Sequence, residues 1–544
     1  MVGVLFQFNY LFAIFVSTAI TLGLGGCVLS LRAVRETVPS LGLLGAYGLF
    51  FLGALSLLIN FFLPLNSPFF ALICVFSLIG WFKIYKTAQA FERNRLRIQA
   101  LVLSIAVTAY WILGMRMGVQ ADTGLYHIPA IHWMHLSSLP IGLGQVHSRL
   151  ATWNFWFSVC AGISAGNVLP LSVYAMNIAL FGFMSVDFYT WMKDQKNPAH
   201  YFAVAGVFLI SFLDSWYFMG GQKSPNADFA GSLMAVYAIG YFIQNKVNFR
   251  NWFRTITLLS GLAILIKLNQ APLGLMVLFA GIQVVRKKNW NEIPYRMIAL
   301  VAFTACLMIV KEVWTTGCLL FPVVSTCTSL PWTIPRIEVS QFYDLVIRWG
   351  RWSDGPPELV LHGFAWIPTW WERIGGSKII FCAGWALVGY LALLTMFRKK
   401  FPKLQLTAFG IISIALLYWF LSAPDLRFAY GFFALVFMLV FAPVLQFFFE
   451  SKNFSKAKPW LIVAMLVSLV ITGIGQIRKG GDYGMYTLVE PSPEFEIKLN
   501  HLGQNVWVPL KYGCWRLPVP CMPYFDPKVV ESKLGIWTEF ERKL

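Results

Sequence analysis

The sequence predicts an all-α polytopic membrane protein with about 14 transmembrane helices, and three observations carry that expectation. First, the 544 residues are 58% hydrophobic and only 12% charged, whereas soluble domains carry about 25% charged residues. Second, apolar runs recur at roughly 6–31, 41–63, 67–88, 98–119, 169–192, 200–217, 229–245, 251–268, 271–285, 292–314, 377–397, 404–421, 428–448 and 459–477. Most approach the ~20 residues that a bilayer core requires. Third, the basic clusters between them fall on one side of the membrane if 151–167 does not cross and lies instead as an interfacial or re-entrant piece. These are Lys83/Lys86/Arg93/Arg95/Arg97, Lys246/Arg250/Arg254, Arg286/Lys287/Lys288, Arg398/Lys399/Lys400/Lys403 and Lys452/Lys456/Lys458. The positive-inside rule makes that side cytoplasmic.

This layout divides the chain into N-terminal transmembrane helices (1–97), a transmembrane module (98–477) with outer loops at 120–168 and 315–376, and an extracytoplasmic extension (478–544). The expected place is a bacterial inner membrane, crossed many times. The run 5–31 is too long, and too poor in basic residues at its start, for a cleavable signal peptide. The net charge of +19 is accounted for by cytoplasmic loops, so no nucleic-acid partner is expected. In the long loop, 338–351 (EVSQFYDLVIRWGR) has near-helical apolar spacing and reads as an amphipathic helix lying on the membrane. The charges of the extension nearly balance, and it reads as a small ordered cap rather than a catalytic domain.

Cysteine placement follows the same division. Cys27, Cys74, Cys160, Cys306 and Cys382 lie in or beside apolar helices, where a free thiol behaves as a small hydrophobe. Cys318, Cys327, Cys514 and Cys521 lie outside, where an oxidising compartment permits disulfides. Cys514 and Cys521, with two prolines between them, are expected to pair.

Polar residues in the outer loops are the candidates for chemistry. The stretch 120–150, QADTGLYHIPAIHWMHLSSLPIGLGQVHSRL, interrupts the succession of apolar helices. Asp122 follows directly on a span, and a carboxylate at that depth is costly without a partner or a function. It reads either as the Asx-turn that ends the helix or as a general base. His127, His132 and His135 share an expected short helix over 126–136, where local hydrogen bonding or phosphate contact is expected ahead of zinc. The turn PIGLGQVHSRL offers glycines that let a ligand approach the backbone, followed by His147 and Arg149. In KSPNAD (223–228), Asp228 reads as a helix cap, a second site carboxylate, or both. Lys267, just before Asn269 and Pro272 break a span, either snorkels to the interface or meets a phosphate. In SAPDLRFAYG, Asp425 and Arg427 sit at a tight outer turn, where an arginine suits a lipid phosphate.

Taken together, ADTGLYHIPAIHW, PIGLGQVHSRL, KSPNAD, IKLNQAP and APDLRF resemble the GT-C superfamily of membrane glycosyltransferases. They resemble most nearly a bacterial family of GT-C-like membrane proteins with a DTGLYH loop. The resemblance spans most of 98–450. It implies a GT-C-like fold, a polyprenyl-phosphate sugar donor, Asp122 as the catalytic carboxylate and Arg427 as the lipid-phosphate contact. Three spans precede the acidic-loop helix here, where GT-C enzymes commonly have one.

The implied reaction is an inverting transfer on the outer face. The donor phosphate would be held by Arg427, with Lys267 and Arg149 as further donors, and the acceptor would be a glycan, lipid or protein. No cofactor is implied with certainty; a divalent metal is disfavoured because Asp122 has no neighbouring carboxylate in sequence. With no GxxxxGK[ST] motif, the activated lipid carries the energy. Two other classes compete. An O-antigen polymerase or ligase would work through outer Arg and His residues. A transporter or flippase of lipid-linked sugar would place ionisable groups at mid-membrane and show a pseudo-repeat.

Overall fold

The computed structural model describes residues 2–28, 38–114, 120–164, 168–212, 224–244, 248–374, 384, 403–450, 493–511, 513–532 and 535–539. The expected spans at 377–397 (apart from residue 384) and 459–477, the basic residues at 398–400 and 452–458, and residues 219–223 lie outside them.

The longer helices are α1 (Val2–Val28), α2 (Leu41–Asn60), α3 (Ser67–Thr87), α4 (Ala90–Gly114), α5 (Ile128–Leu136), α6 (Phe155–Ser164), α7 (Met176–Lys193) and α8 (His200–Phe212). They continue with α9 (Ala227–Phe242), α10 (Phe249–Ile266), α11 (Gly274–Lys287), α12 (Tyr295–Thr316), α13 (Arg336–Arg351), α14 (Ile367–Ile374), α15 (Lys403–Ser422) and α16 (Tyr430–Glu450). Among the described residues, 7 segments are long and apolar enough to cross a membrane: Gln7–Val28, Leu41–Asn60, Ser67–Thr87, Ala90–Ile112, Leu268–Lys287, Tyr295–Thr316 and Lys403–Ser422.

The chain is therefore a helical protein of membrane type, but the expected count of about 14 spans is not met. Two of the expected spans fall outside the described residues, and five others are helical yet fall short. The reasons are length and composition. Ala227–Phe242 has 16 residues and is buried along almost its whole length, so protein rather than lipid covers it. Phe249–Ile266 carries Arg250 and Arg254, and Met176–Lys193 carries Asp187 and Lys193. The piece expected at 151–167 contains α6, a 10-residue helix buried on every side.

Tight helix packing comes from small residues, the usual device where no hydrophobic force drives helices together in lipid. A methyl group on Gly48 would collide with the Thr21 carbonyl of α1, and one on Gly80 with the Gly23 carbonyl. These approaches clamp α2 and α3 onto α1.

The extension departs from the all-α expectation. Its described part forms two antiparallel hairpin sheets, β1 (Phe495–Leu499) with β2 (Asn505–Pro509), and β3 (Val529–Glu531) with β4 (Trp537–Glu539). Disulfides join Cys514 to Cys521 and Cys318 to Cys327. The cap rests on the loop that follows α4. The Trp537 amide donates to Ile141 O (3.0 Å), and the Trp515 amide donates to Gly124 O (3.0 Å).

Candidate functional site

Asp122 lies at the start of a π-helical turn, Thr123–His127, which runs directly into α5. The wider turn leaves Thr123, Gly124 and His127 buried while the Asp122 side chain stays 24% exposed. Gly124 is required here: the Trp515 indole of the extension fills the space that a Cβ would take. The expected single helix over 126–136 is thus two elements.

Three segments far apart in sequence meet at Asp122. Arg149 Nη1 donates to Asp122 Oδ1 at 3.4 Å, and Arg427 Nη1 donates to Asp122 Oδ2 at 3.1 Å. Beside them Lys267 Nζ donates to Asp228 Oδ1 in a close ion pair. Two rings join the cluster: Phe428, 4.8 Å from the Arg427 guanidinium and 5.0 Å from Lys267 Nζ, and Tyr126, 5.6 Å from the Arg149 guanidinium. Cations at such distances from aromatic faces gain further stabilisation. Burial opposes the charge of Arg427, but Asp228, Asp425 and Asp122 outweigh it and raise the pKa of the guanidinium above its ordinary value.

Local chemistry places each member. Asp425 caps its own turn by accepting from the Arg427 amide (3.0 Å), and its carboxylate lies 4.0 Å from Arg427 Nε. The turn is held from two sides: the Trp370 indole of the long loop donates to Pro424 O (2.7 Å), and the Trp419 indole of α15 donates to Asp425 O (2.7 Å). Lys267 ends α10, where a short 3-10 stretch, Leu268–Leu273, replaces the helix. Asn269 Nδ2 then reaches Phe428 O (2.8 Å), tying this break to the arginine turn. Asp228 sits in the first turn of α9, which Asn226 caps by accepting from the Asp228 and Phe229 amides. The helix dipole there favours the carboxylate.

The other sequence candidates divide. His127 is buried behind the cluster, with Nδ1 2.9 Å from Ser224 Oγ. Burial lowers its pKa to about 4, only partly opposed by Asp122 and Asp228, so it is neutral at pH 7. His135 bonds to Ala161 O (3.1 Å) and is also driven to about 4 by burial. His147 is buried against Tyr524 of the extension (rings 5.9 Å apart), with its pKa lowered to about 3 by burial. None of the three carries charge to a phosphate at pH 7. Among the described residues no group of three or more His, Cys, Asp and Glu is placed to hold a metal ion.

Several supporting residues escape sequence reasoning. Ser224 joins Thr123 (2.7 Å) to His127, and Asn177 Nδ2 donates to Ser224 O (2.8 Å) and Asn226 O (3.3 Å). KSPNAD drew attention through its carboxylate, but its Ser and Asn do the joining. Asp187, 1% exposed, accepts from Tyr237 and from Tyr241 (2.8 Å). An acid inside an apolar run was the available signal. Lys311 and Glu312 form a buried pair 3.6 Å apart, and Lys311 Nζ donates to Thr152 O (3.2 Å), just beyond the Arg149 turn.

The result is a half-open cluster of three cations and two carboxylates, Asp122 and Asp228, with Asp425 behind them. Arg427 spends Nη1 on Asp122, while its Nε makes no hydrogen bond. Such a cluster can bind an anion bidentately and keep a carboxylate within reach of it. No curated protein and no solved structure matches the chain. A family model does match residues 1–434, which include Asp122, Arg149, Asp228, Lys267 and Arg427. The chain therefore belongs to the family described as a domain of unknown function, DUF8201.

Proposed function

We propose that the chain is a GT-C-type inverting glycosyltransferase that moves a sugar from a polyprenyl-phosphate donor to an acceptor hydroxyl on the extracytoplasmic face. The observation that supports this reading best is the meeting of Asp122 with Arg427 and Arg149. A general base and the cations needed by a departing phosphate stand together, from segments up to 305 positions apart.

In this reading Asp122 holds the guanidinium groups of Arg427 and Arg149 until a donor arrives. A donor phosphate competes with Asp122 for the guanidinium N–H groups of Arg427 and Arg149. As the phosphate engages Arg427 and Arg149, Asp122 is released toward the acceptor. Asp122 then takes the hydroxyl proton, the acceptor oxygen bonds to the anomeric carbon from the side opposite the phosphate, and the bond from that carbon to the phosphate oxygen breaks. Its electron pair leaves on the phosphate, where the guanidinium charge stabilises it. Asp228 holds Lys267 and fixes its ammonium beside Phe428, so Lys267 is the third cation of the same anion site.

The test is incubation of the purified, full chain with a mixed pool of polyprenyl-phosphate sugars and membrane acceptors. Mass spectrometry then follows free polyprenyl phosphate and new glycosides. Stoichiometric appearance of both supports transfer. Movement of intact donor across a vesicle, with no glycosidic bond formed, would assign the chain to transport instead.

A further inference from the structure

A second feature lies away from the cluster. A groove of about 450 Å³ runs between α1, α2, α3 and α12, walled chiefly by Phe50, Phe51, Phe76, Leu300 and Phe303. That volume is within the ~300–1,000 Å³ of small-ligand sites. Two of its walls face outward, Ile79 at 42% and Phe303 at 53% exposure, so it opens sideways, at the depth of the membrane-crossing helices.

Three polar side chains reach it: Cys27, Thr304 and Lys83. Cys27 Sγ donates to Phe76 O (2.8 Å) and Thr304 Oγ1 to Leu300 O (2.9 Å), so both are satisfied within the protein. Lys83 has no carboxylate or carbonyl partner among the described residues. It also lies at one end of the membrane. The turn before α3 is fixed at the site end, where the Leu65 amide donates to Met134 O (2.8 Å). Lys83 is then about 24 Å further along α3 at ~1.5 Å per residue. A lysine there carries its ammonium to the headgroup level, next to Lys86 in the same last turns.

We propose that this groove binds one chain of an anionic phospholipid, with the lipid phosphate seated on Lys83. The walls offer nothing to a polar ligand, and the one unmatched group is a cation at headgroup height. A zwitterionic lipid would bring its own cation to the same place and lose that match. The site is independent of the glycosyltransferase reading.

The experiment uses the full chain, purified in detergent and stripped of lipid, with native mass spectrometry of bound dioleoyl phosphatidylglycerol against dioleoyl phosphatidylcholine. The wild type should retain one phosphatidylglycerol in about tenfold preference. Lys83→Arg should keep the preference and Lys83→Gln abolish it. Ala54→Phe, which fills the groove and leaves the charge, should also lose the lipid, and glycerol phosphate without chains should not compete. Equal retention of both lipids by the wild type, unchanged preference in Lys83→Gln, or competition by glycerol phosphate would overturn the proposal. Lipid-free unfolding temperature serves as the folding control for each variant.

Discussion

Asp122 and Arg427 touch across 305 positions of sequence, and each explains the other. A carboxylate at a membrane boundary needs a cation, and a guanidinium flanked by Asp122, Asp228 and Asp425 is held permanently charged. The neutral histidine behind them gives a first prediction. His127 has a folded pKa of about 4 against 6.5 when unfolded. Between those values the unfolded chain binds a proton that the folded chain does not. Stability should therefore be flat above about pH 6.5 and fall as pH drops toward 4, with His135 and His147 acting in the same direction. Thermal unfolding in micelles across pH 4–7 reads this, and His127→Gln should make the fall shallower. Equal unfolding temperatures for the wild type at pH 4.5 and pH 7 would contradict it. A second prediction concerns Lys267→Met, which leaves Asp228 buried without its partner. Removing one member of a partly buried pair costs more than the pair contributes, so Lys267→Met should be less stable than the double change Lys267→Met with Asp228→Asn. The unfolding temperatures of the two variants test this order.

At the scale of elements, the site is held by contacts that no local pattern announces. Trp515 sits in the loop closed by the Cys514–Cys521 bridge, lays its indole on Gly124 and donates its amide to Gly124 O. Trp515→Ala should cost about 3–5 kcal/mol, as for other buried aromatic truncations. Hydrogen exchange should rise specifically over 120–136. Gly124→Ala, which drives a methyl into the indole, should loosen the same segment. Unchanged exchange there in both variants would separate the extension from the site. The long loop and α15 play a matching part on the other side, where Trp370 of the loop and Trp419 of the helix hold the carbonyls of Pro424 and Asp425 and so aim Arg427. Its helix α13 leaves Ile337 (67%), Leu345 and Trp349 exposed, an apolar side available to a membrane surface.

At the scale of the whole molecule, the expected sidedness makes a further prediction. The site end and the α3–α4 junction are opposite ends of α3, so cysteines placed near residue 90 and in 422–427 should label from opposite sides of the membrane. Labelling of both from one side would refute the topology. The motifs DTGLYH, KSPNAD, IKLNQAP and APDLRF were each legible as polar interruptions of apolar helices, because ionisable groups in such places stand out from composition alone. What they bind to was not legible. Ser224, Asn177 and Trp515 are ordinary residues whose roles come from contacts across the fold. Asp187 was visible as an acid inside an apolar run, but its partners Tyr237 and Tyr241 lie 50 and 54 positions further along the chain. The span count falls short for a different reason: Ala227–Phe242 and Tyr430–Gln446 are short, and Asp187, Lys193, Arg250 and Arg254 dilute two further helices, differences that a run of apolar letters does not resolve.

In the proposed reaction Asp122 takes the proton and Arg427 holds the phosphate, and one measurement separates the two roles directly. Steady-state transfer from a purified polyprenyl-phosphate sugar should be followed for wild type, Asp122→Asn and Arg427→Lys. Asp122→Asn keeps the size and cannot accept a proton. Its kcat should fall by roughly 10²–10⁴-fold, with donor affinity equal to or tighter than wild type, because the amide competes less for the guanidinium groups. Arg427→Lys keeps a charge but loses the fork, so its donor KM should rise. Near-normal turnover by Asp122→Asn would remove the carboxylate from the chemistry and contradict the account.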